Sequence, residues 1–243
     1  MKQGKFKMVE NIPLTEDVMK MVLSGDTSRI TSPGQFVNIR LEGFFLRRPI
    51  SVCDVEGDRL TIIYKIVGRG TKAMAEMTGG ELDLLTGLGN GYDTETSGDM
   101  PLLIGGGAGV PPMYLLARRL MEQGKKPQVI LGFNTAAEVF LEDEFRNLGA
   151  DVTVTTADGS YGIRGFVTDA MNREYSYFYA CGPQPMLKAV SDASKTGGQL
   201  SFEERMGCGF GACMGCSCET LYGSKRICKD GPVLRKEEII WQK

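Results

Sequence analysis

The sequence predicts a β + α/β protein in three parts: an antiparallel β-barrel over residues 1–97, a doubly wound parallel-sheet domain over residues 98–199, and a cysteine-rich segment over residues 200–243. Short alternating segments separated by turn residues fill the first part, and apolar strands followed by helical periodicity fill the second. Five of the seven cysteines fall in the third. We call residues 200–243 the cysteine segment.

The barrel is predicted from strands that alternate polar and apolar residues. Turn residues such as those at 32–34 and 56–58 recur at the spacing of an all-β barrel or sandwich. One short helix is predicted from Thr71 to Met77. The clearest strands are 18–23, 35–40 and 59–65.

After residues 97–99 the pattern changes to a βαβ rhythm, which predicts a parallel sheet with helices on both faces. The predicted strands are 101–104, 128–133, 151–156 and 177–180, and the predicted helices are 111–123, 142–148, 165–171 and 184–194.

Composition excludes several classes of function. The formal net charge is -2 and the basic residues are scattered, so nucleic-acid binding has no support. There is no histidine, which excludes a histidine general base, Ser-His-Asp and Cys-His catalysis, and His-containing zinc sites. We therefore predict no acid–base catalytic residue. With no signal-peptide pattern and no apolar run of membrane-spanning length, the expected location is cytoplasmic.

The clustered cysteines predict an iron–sulfur site. Cys208, Cys213 and Cys216 have the spacing C-x4-C-x2-C, and Cys228 follows, an arrangement typical of a plant-type [2Fe-2S] cluster. Glycines between them allow the tight loop that such ligation needs. A structural zinc site with four cysteine ligands is the alternative, although zinc sites more often present paired C-x2-C arms.

Two cysteines outside this set are interpreted differently. Cys218 leaves open which thiol is the third ligand, and we favour Cys216 because it preserves the C-x2-C step. Cys53 has no partner at metal-ligand spacing, so we predict that it is a small buried apolar residue.

Two motifs in the barrel are suited to phosphate. In the run Arg48, Pro49, Ile50 and Ser51, a guanidinium and a hydroxyl flank a rigid proline. Further along, Gly70 and Thr71 lie at the start of the predicted helix, where backbone amides can bind an anion. A solvated edge strand and a plain glycine turn are the alternatives.

A third motif predicts dinucleotide binding. Gly105, Gly106, Gly107 and Gly109 follow the first strand of the second domain and precede its first helix, which permits close approach to a pyrophosphate. Cys181, Gly182 and Pro183 end the last predicted parallel strand, at the edge where such sheets bind ligands, so we expect Cys181 near a nicotinamide ring. Residues 128–145 contain four acidic residues and no lysine or arginine to hold a 2′-phosphate, which favours NAD over NADP.

Together these motifs resemble the ferredoxin-NADP reductase superfamily, in residues and in order along the chain. Within it, the runs 204–216 and 228–233 are similar to the electron-transfer subunits of class 1B dihydroorotate dehydrogenase. The resemblance spans essentially the whole chain.

The resemblance implies FAD on the barrel, NAD on the second domain and a [2Fe-2S] cluster in the cysteine segment. It implies that electrons pass from an FMN-containing catalytic subunit, which oxidises dihydroorotate to orotate in pyrimidine (UMP) biosynthesis, through the cluster and FAD to NAD+. The implied assembly is a heterotetramer with two of each chain. The implied FAD residues are Arg48, Pro49, Ile50, Ser51, Ile63, Tyr64, Lys65, Gly70 and Thr71, and the implied iron ligands are Cys208, Cys213, Cys216 and Cys228.

Two other functions remain open at this stage. One is a related flavin and iron–sulfur reductase subunit, such as a ferredoxin:NAD(P) oxidoreductase or a hydrogenase-associated diaphorase. The other is a non-enzymatic redox or zinc sensor. Dihydroorotate-dependent NAD+ reduction separates the first from the favoured function, and zinc without flavin would indicate the second.

Overall fold

The computed structural model describes residues 1–241. The strands are β1 Lys2–Pro13, β2 Val18–Ser24, β3 Phe36–Arg40, β4 Arg48–Glu56, β5 Arg59–Lys65, β6 Glu81–Leu88, β7 Pro101–Gly106, β8 Gln128–Phe133, β9 Asp151–Thr156, β10 Ile163–Arg164, β11 Tyr177–Cys181, β12 Gly198–Ser201, β13 Ser217–Thr220, β14 Gly223–Arg226 and β15 Val233–Arg235. The α-helices are α1 Arg69–Ala75, α2 Pro111–Glu122, α3 Glu142–Asn147 and α4 Gln184–Ala193.

The first six strands form a closed antiparallel barrel in the order β1-β2-β5-β4-β3-β6. Side chains alternate between its inside and outside, as a two-residue period requires. In β3, for example, Val37 and Ile39 pack in the barrel interior, whereas Phe36 packs with residues of the cysteine segment. The barrel predicted from the sequence is confirmed.

The second domain is a seven-stranded sheet in the order β10-β9-β8-β7-β11-β12-β15. Its pairs are parallel except β12 with β15. Helices α2 and α3 pack on one face and α4 on the other, which confirms the doubly wound architecture. The strand order reverses between β7 and β11, and such a reversal opens a ligand crevice at the carboxyl ends of the strands.

Most predicted elements of the second domain are present within a few residues of their expected bounds. Helix α2 begins with two prolines, which are tolerated in a first helical turn, and Gly124 follows its end. The helix predicted at 165–171 was wrong, because a single 3-10 turn, Val167–Ala170, connects β10 to the strand that follows. Helix α1 begins at Arg69, two residues earlier than predicted.

The cysteine segment packs against both of the other parts. Its strands β13 and β14 form a two-stranded ribbon, and β15 joins the edge of the second domain's sheet beside β12. A small apolar cluster, which includes Phe36, Leu88, Cys216, Ile227 and Cys228, packs the segment against β3 and β6 of the barrel. Among residues 1–241, no helix is both long enough and apolar enough to cross a membrane.

Candidate functional site: two thiol pairs, a flavin cleft and a dinucleotide crevice

The cysteine loop, which we define as residues 207–216, turns around the Cys208 sulfur. The amides of Ala212, Cys213 and Phe210 point at Cys208 Sγ from 3.2, 3.4 and 3.5 Å. Burial of the thiol raises its pKa, but these amides outweigh that effect and lower the pKa of Cys208 to about 6. The loop therefore stabilises a thiolate, the form that ligates iron.

The four predicted ligands are arranged as two pairs. In the outer pair, the Cys208 amide lies 3.4 Å from Cys213 Sγ. In the inner pair, the Cys228 amide lies 3.4 Å from Cys216 Sγ, and both residues are almost fully buried. Burial, followed by the adjacent Cys216 thiol, raises the pKa of Cys228 to about 12, so a second thiolate there requires a compensating cation.

Two thiol pairs fit a cluster with two irons. Four cysteines hold a [2Fe-2S] cluster with two ligands on each iron. Among the described residues, no group of three His, Cys, Asp or Glu side chains is arranged to hold a single metal ion. Arg226 stabilises the loop by donating to the Gly211 carbonyl at 3.0 Å, and it also donates to Asp230.

The two remaining cysteines lie outside both pairs. Cys218 is half-buried on β13, opposite Lys225 on β14. Cys53 is buried in the apolar core, which confirms its predicted role, and burial raises the pKa of its thiol.

A cleft of about 420 Å³ opens beside β4 and the start of α1. Arg48 lies in it with its guanidinium carbon 4.8 Å from the centre of the Phe44 ring. A Cβ on Gly70 would come within 2.0 Å of Arg48 Nε, so a larger residue there would displace the guanidinium from its present position. Arg47 points elsewhere, to Asp83 at 2.6 Å. The cleft therefore presents the Arg48 guanidinium beside the first amides of a helix.

The other predicted flavin residues contribute in different ways. The Thr71 hydroxyl closes the turn before α1 by accepting from the amides of Val67 and Gly68. Tyr64 is buried in the barrel and donates to Asn11, so only its backbone faces outward. Ile63 packs in the core shared with the second domain, and Lys65 pairs with Asp17 at 2.8 Å.

The dinucleotide motif lies where the strand order of the second domain reverses. Gly105 at the end of β7 is paired with Cys181 at the end of β11. A Cβ on Gly109 would lie 2.2 Å from the Cys181 carbonyl oxygen, and one on Gly106 would lie 2.3 Å from Met186 Sδ. Glycines therefore bring the turn directly against the neighbouring strand end, as a pyrophosphate site requires.

Several further residues line the crevice between β7 and β11. Gly182 and Pro183 lead from Cys181 into α4, and Gly107 has a φ of +51° in open space at the turn. Burial raises the pKa of the Cys181 thiol to about 12, so it is neutral at pH 7. At the end of β8, Glu138 accepts hydrogen bonds from Asn134 and adds an acidic group to the predicted NAD side of the sheet.

One face of the barrel brings the first two sites together. Asn38 on β3 is the register partner of Pro49 on β4, and Phe36 is the partner of Ser51. Directly opposed residues point to the same face, here the outer one. Asn38 Nδ2 also donates to the Cys208 carbonyl at 3.1 Å. The cysteine loop therefore contacts β3 on the outer surface of the barrel, directly beside the flavin motif on β4.

Sequence reasoning missed two asparagines that tie the cysteine segment to the barrel. Asn38 is one; the other is Asn90, which donates to the Val233 carbonyl at 2.7 Å and accepts from the Val233 amide at 3.1 Å. The signal for Asn38 was available, because it is a polar residue within the apolar run of β3. No comparable signal marks Asn90, which lies in a loop.

Comparisons with known proteins agree with this geometry. Residues 203–240 match a family described as the iron-sulfur cluster binding domain of dihydroorotate dehydrogenase B, and residues 103–192 match an oxidoreductase NAD-binding domain. The chain is 42% identical to the dihydroorotate dehydrogenase B (NAD(+)) electron transfer subunit of Shouchella clausii, covering 98% of both chains. It is 44% identical to that of Fusobacterium nucleatum, covering 95% of both.

The chain belongs to the dihydroorotate dehydrogenase B electron transfer subunit family. A solved structure of an NADH-dependent reduced ferredoxin-NADP oxidoreductase is 30% identical, with a TM-score of 0.88 over 97% of this chain and 90% of that one. A ferredoxin NADP+ reductase from Neisseria gonorrhoeae, 18% identical over 79% of this chain and 90% of that one, shares the fold with a TM-score of 0.69.

Membership of this family confirms the class of chemistry predicted from the sequence. The chain is an NAD-dependent oxidoreductase subunit whose cofactors are FAD, a [2Fe-2S] cluster and NAD. The iron–sulfur match decides against the zinc alternative. As an electron transfer subunit, the chain acts with a catalytic partner subunit.

Proposed function

We propose that this chain carries electrons from dihydroorotate oxidation, at an FMN-containing catalytic subunit, to NAD+ in pyrimidine (UMP) biosynthesis. The observation that carries the proposal is the shared outer face of the barrel, where Cys208 contacts β3 directly beside the flavin motif of β4. When bound, the cluster supplies one-electron transfer and FAD links it to hydride exchange with NAD(H).

The residues of the chain bind and orient these groups instead of transferring protons. The outer and inner thiol pairs would hold the irons, with the loop amides directed at Cys208. Arg48 and the backbone of Gly70 would hold the FAD diphosphate, and the turn at 105–109 would hold NAD. Pro49, Ile50, Ser51, Ile63, Tyr64 and Lys65 would form the strand surface against the flavin, and Cys181, Gly182 and Pro183 would lie at the nicotinamide.

The first experiment is cofactor analysis of protein purified without oxygen, followed by NADH titration. About one FAD and about two irons per chain are expected, with flavin absorbance lost on addition of NADH. After the catalytic subunit is added, dihydroorotate should drive NAD+ reduction. A protein that binds FAD and iron but fails this last step with a competent partner would contradict the proposed substrate pathway.

One alternative function has an observation in its favour. The match to the NADH-dependent reduced ferredoxin-NADP oxidoreductase covers nearly the whole chain. A ferredoxin-linked reductase subunit would exchange electrons with reduced ferredoxin and not with a dihydroorotate-oxidising partner. Parallel assays with ferredoxin and with dihydroorotate plus the catalytic subunit therefore separate the two functions.

We propose that the catalytic subunit docks over the outer thiol pair. Phe210 and Met214 are exposed apolar residues of the cysteine loop, and Leu221 and Tyr222 are exposed at the turn between β13 and β14 of the same segment, with Tyr222 at 77% exposure. Exposed apolar residues grouped in this way are typical of protein interfaces. The predicted heterotetramer would place one such surface on each of two copies of this chain.

The docking surface can be tested with a matched pair of variants. Tyr222→Ser should weaken complex formation about tenfold or more, as expected when a large interfacial aromatic side chain is removed. Phe166→Ser, which removes a side chain that is 71% exposed on the second domain, is the control. Light scattering with the catalytic subunit would report both affinity and stoichiometry. Equal affinities for the two variants would exclude this surface.

Two further features stay predictions. We propose the division at residues 97/98 and 199/200, with residues 242–243 of the third part outside the described residues, and a cytoplasmic location. Limited proteolysis tests the first limit, since cleavage should concentrate at the exposed residues 98–100, whereas the second limit lies within the buried strand β12 and should resist cleavage. Cell fractionation tests the location.

A further inference from the structure

Asn38 is a buried polar side chain whose hydrogen bonds are incomplete. It is 1% exposed and lies in the middle of β3, on the outer face of the barrel. Its Nδ2 donates to the Cys208 carbonyl, but its Oδ1 has no hydrogen-bond partner in residues 1–241. Buried acceptors are nearly always paired, so an unpaired one calls for a specific explanation.

The orientation of the Asn38 amide is fixed by its surroundings. Exchanging Oδ1 and Nδ2 would bring two acceptors together at the Cys208 carbonyl. Arg47 holds the backbone of the residue by donating to the Asn38 carbonyl at 3.3 Å while it pairs with Asp83. The Nδ2 group of Asn38 therefore donates to the cysteine loop, and Oδ1 remains available to accept a hydrogen bond.

The position of Asn38 indicates what the acceptor half faces. Its register partner is Pro49, and Ser51 lies on the same outer surface two residues along β4. On the other side, the cysteine loop approaches so closely that a Cβ on Gly209 would lie 2.2 Å from Asn38 Nδ2. The register of β3 with β6 shifts between Phe36 and Asn38, an irregularity that often re-aims a side chain near a binding site.

We propose that Asn38 couples the two cofactor sites: its Nδ2 holds the cysteine loop, and its Oδ1 accepts a hydrogen bond from a ring N–H or ribityl hydroxyl of bound FAD. This inference rests on the proposed function, because it needs both groups on one chain. A single planar amide then links the order of the cysteine loop to FAD affinity. Asn38 is a positioning residue and takes no part in the chemistry.

The coupling predicts a non-additive pair of substitutions. Cys213→Ser removes the cluster and should raise the Kd of FAD about tenfold, a typical coupling between two sites. Asn38→Leu should raise it at least as much with the cluster present. The double variant should bind FAD no more than about twofold more weakly than Asn38→Leu alone, since both changes remove one connection. Fluorescence titration of FAD measures all four proteins.

Thr86→Val is the control for general damage to the barrel. Thr86 is also 1% exposed, and its hydroxyl donates to the Lys2 carbonyl of β1, the strand that borders β6 on the side away from β3. Its effect on FAD affinity should add to that of Cys213→Ser. Additive effects for Asn38→Leu as well would overturn the proposal.

A pair of glycines tests the proposal if Asn38→Leu does not fold. Gly209 and Gly211 both have positive φ, 77° and 89°, in the same loop. A Cβ on Gly209 meets Asn38, whereas a Cβ on Gly211 meets the flexible side chain of Lys229 at 2.6 Å. Gly209→Ala should raise the Kd of FAD about tenfold and Gly211→Ala less than about twofold. Equal effects would overturn the proposal, whereas wild-type protein lacking iron or FAD would instead refute the proposed function.

Discussion

The second domain and the cysteine segment both dock on the barrel, but by different means. The second domain docks through α2, which places Leu115 in the barrel's own core while Ile63 and Cys53 of the barrel pack with the domain's apolar core. Arg118 adds an ion pair to Asp54 at 2.7 Å. Continuous apolar contact of this kind stabilises an interface without any ligand.

The cysteine segment relies on polar contacts and on its ligands. Asn38 and Asn90 connect it to the barrel by side-chain to backbone hydrogen bonds, and its apolar cluster is small and includes two of the cysteines themselves. Each such hydrogen bond contributes about 1 kcal/mol net. The second domain is therefore held by its core, whereas we expect the order of the cysteine segment to depend also on its metal.

Cys213→Ser is the largest test of this difference. It removes one ligand of the outer pair, so iron content should fall to near zero and the cysteine loop should exchange its amides rapidly. The second domain should be unaffected, and NADH should still reduce FAD supplied in excess. Hydrogen exchange and flavin absorbance measure the two halves of this expectation.

A matched serine substitution supplies the control for Cys213→Ser. Cys218→Ser changes a half-buried thiol in the same segment that belongs to neither pair, and it should retain iron. If Cys218→Ser lost iron and Cys213→Ser kept it, the assignment of ligands would be wrong. Loss of NADH reactivity together with iron would show that the two regions are not separable.

Gly109→Ala is the converse test, because it should impair the second domain and leave the cysteine segment intact. Its Cβ would lie 2.2 Å from the Cys181 carbonyl oxygen, and because backbone cannot move aside cheaply, the turn at 105–109 should shift. A displaced turn should raise the KM for NADH by roughly tenfold or more, about 1.4 kcal/mol of binding energy, while iron content stays normal. Gly79→Ala, with open space around its Cβ, is the control. An unchanged KM would show that this turn does not bind the dinucleotide.

The sequence predicted those features that depend on local chemistry. The spacing of Cys208, Cys213 and Cys216 reflects the reach of one loop around two irons, and the glycines at 105–109 follow a strand directly. In both motifs, residues close together in the sequence determine the shape of the site. The structure accordingly places the thiols in pairs and puts Gly105 beside Cys181.

The sequence could not predict features that depend on distant strands. The contact between Asn38 and Cys208 spans 170 residues and exists only because the cysteine segment folds back over β3. The addition of β15 to the sheet beside β12 has the same cause. The helix predicted at 165–171 was wrong because its apolar residues, Val167 and Ala170, pack on the sheet from a single turn. Tertiary packing overrides periodicity in so short a run.

Arg118→Ala tests the ionic part of the docking of the second domain. Arg118 donates to the Val55 carbonyl at 2.6 Å and neutralises Asp54, so its loss should destabilise the protein by about 2 kcal/mol at pH 7. Arg119→Ala on the same helix removes an exposed pair with Glu122 and should cost less than about 1 kcal/mol. Thermal unfolding in the Cys213→Ser background makes the comparison independent of the cluster.

The cost of Arg118→Ala should depend on pH. Burial already raises the pKa of Asp54, and Arg118 opposes that rise. Without the arginine the folded pKa rises further above the ordinary value of about 3.9, so the charged carboxyl costs stability as pH rises through the folded pKa. The penalty should therefore be full at pH 7 and shrink as the pH falls toward about 4. A constant difference between variant and wild type across this range would show that charge is not what the arginine provides.

Asn90→Ala is the smallest and most specific test of the polar docking of the cysteine segment. Its side chain makes two strong contacts with Val233, and its loss should cost about 1 to 2 kcal/mol. Because β15 begins at Val233, the effect should appear as faster iron loss to a chelator, by about fivefold, with NADH reactivity intact. Asn172→Ala, at an exposed position of the second domain, is the control. If iron loss were unchanged while the melting temperature fell, Asn90 would stabilise the barrel rather than the segment, and the segment would owe its attachment to Asn38 and the apolar cluster.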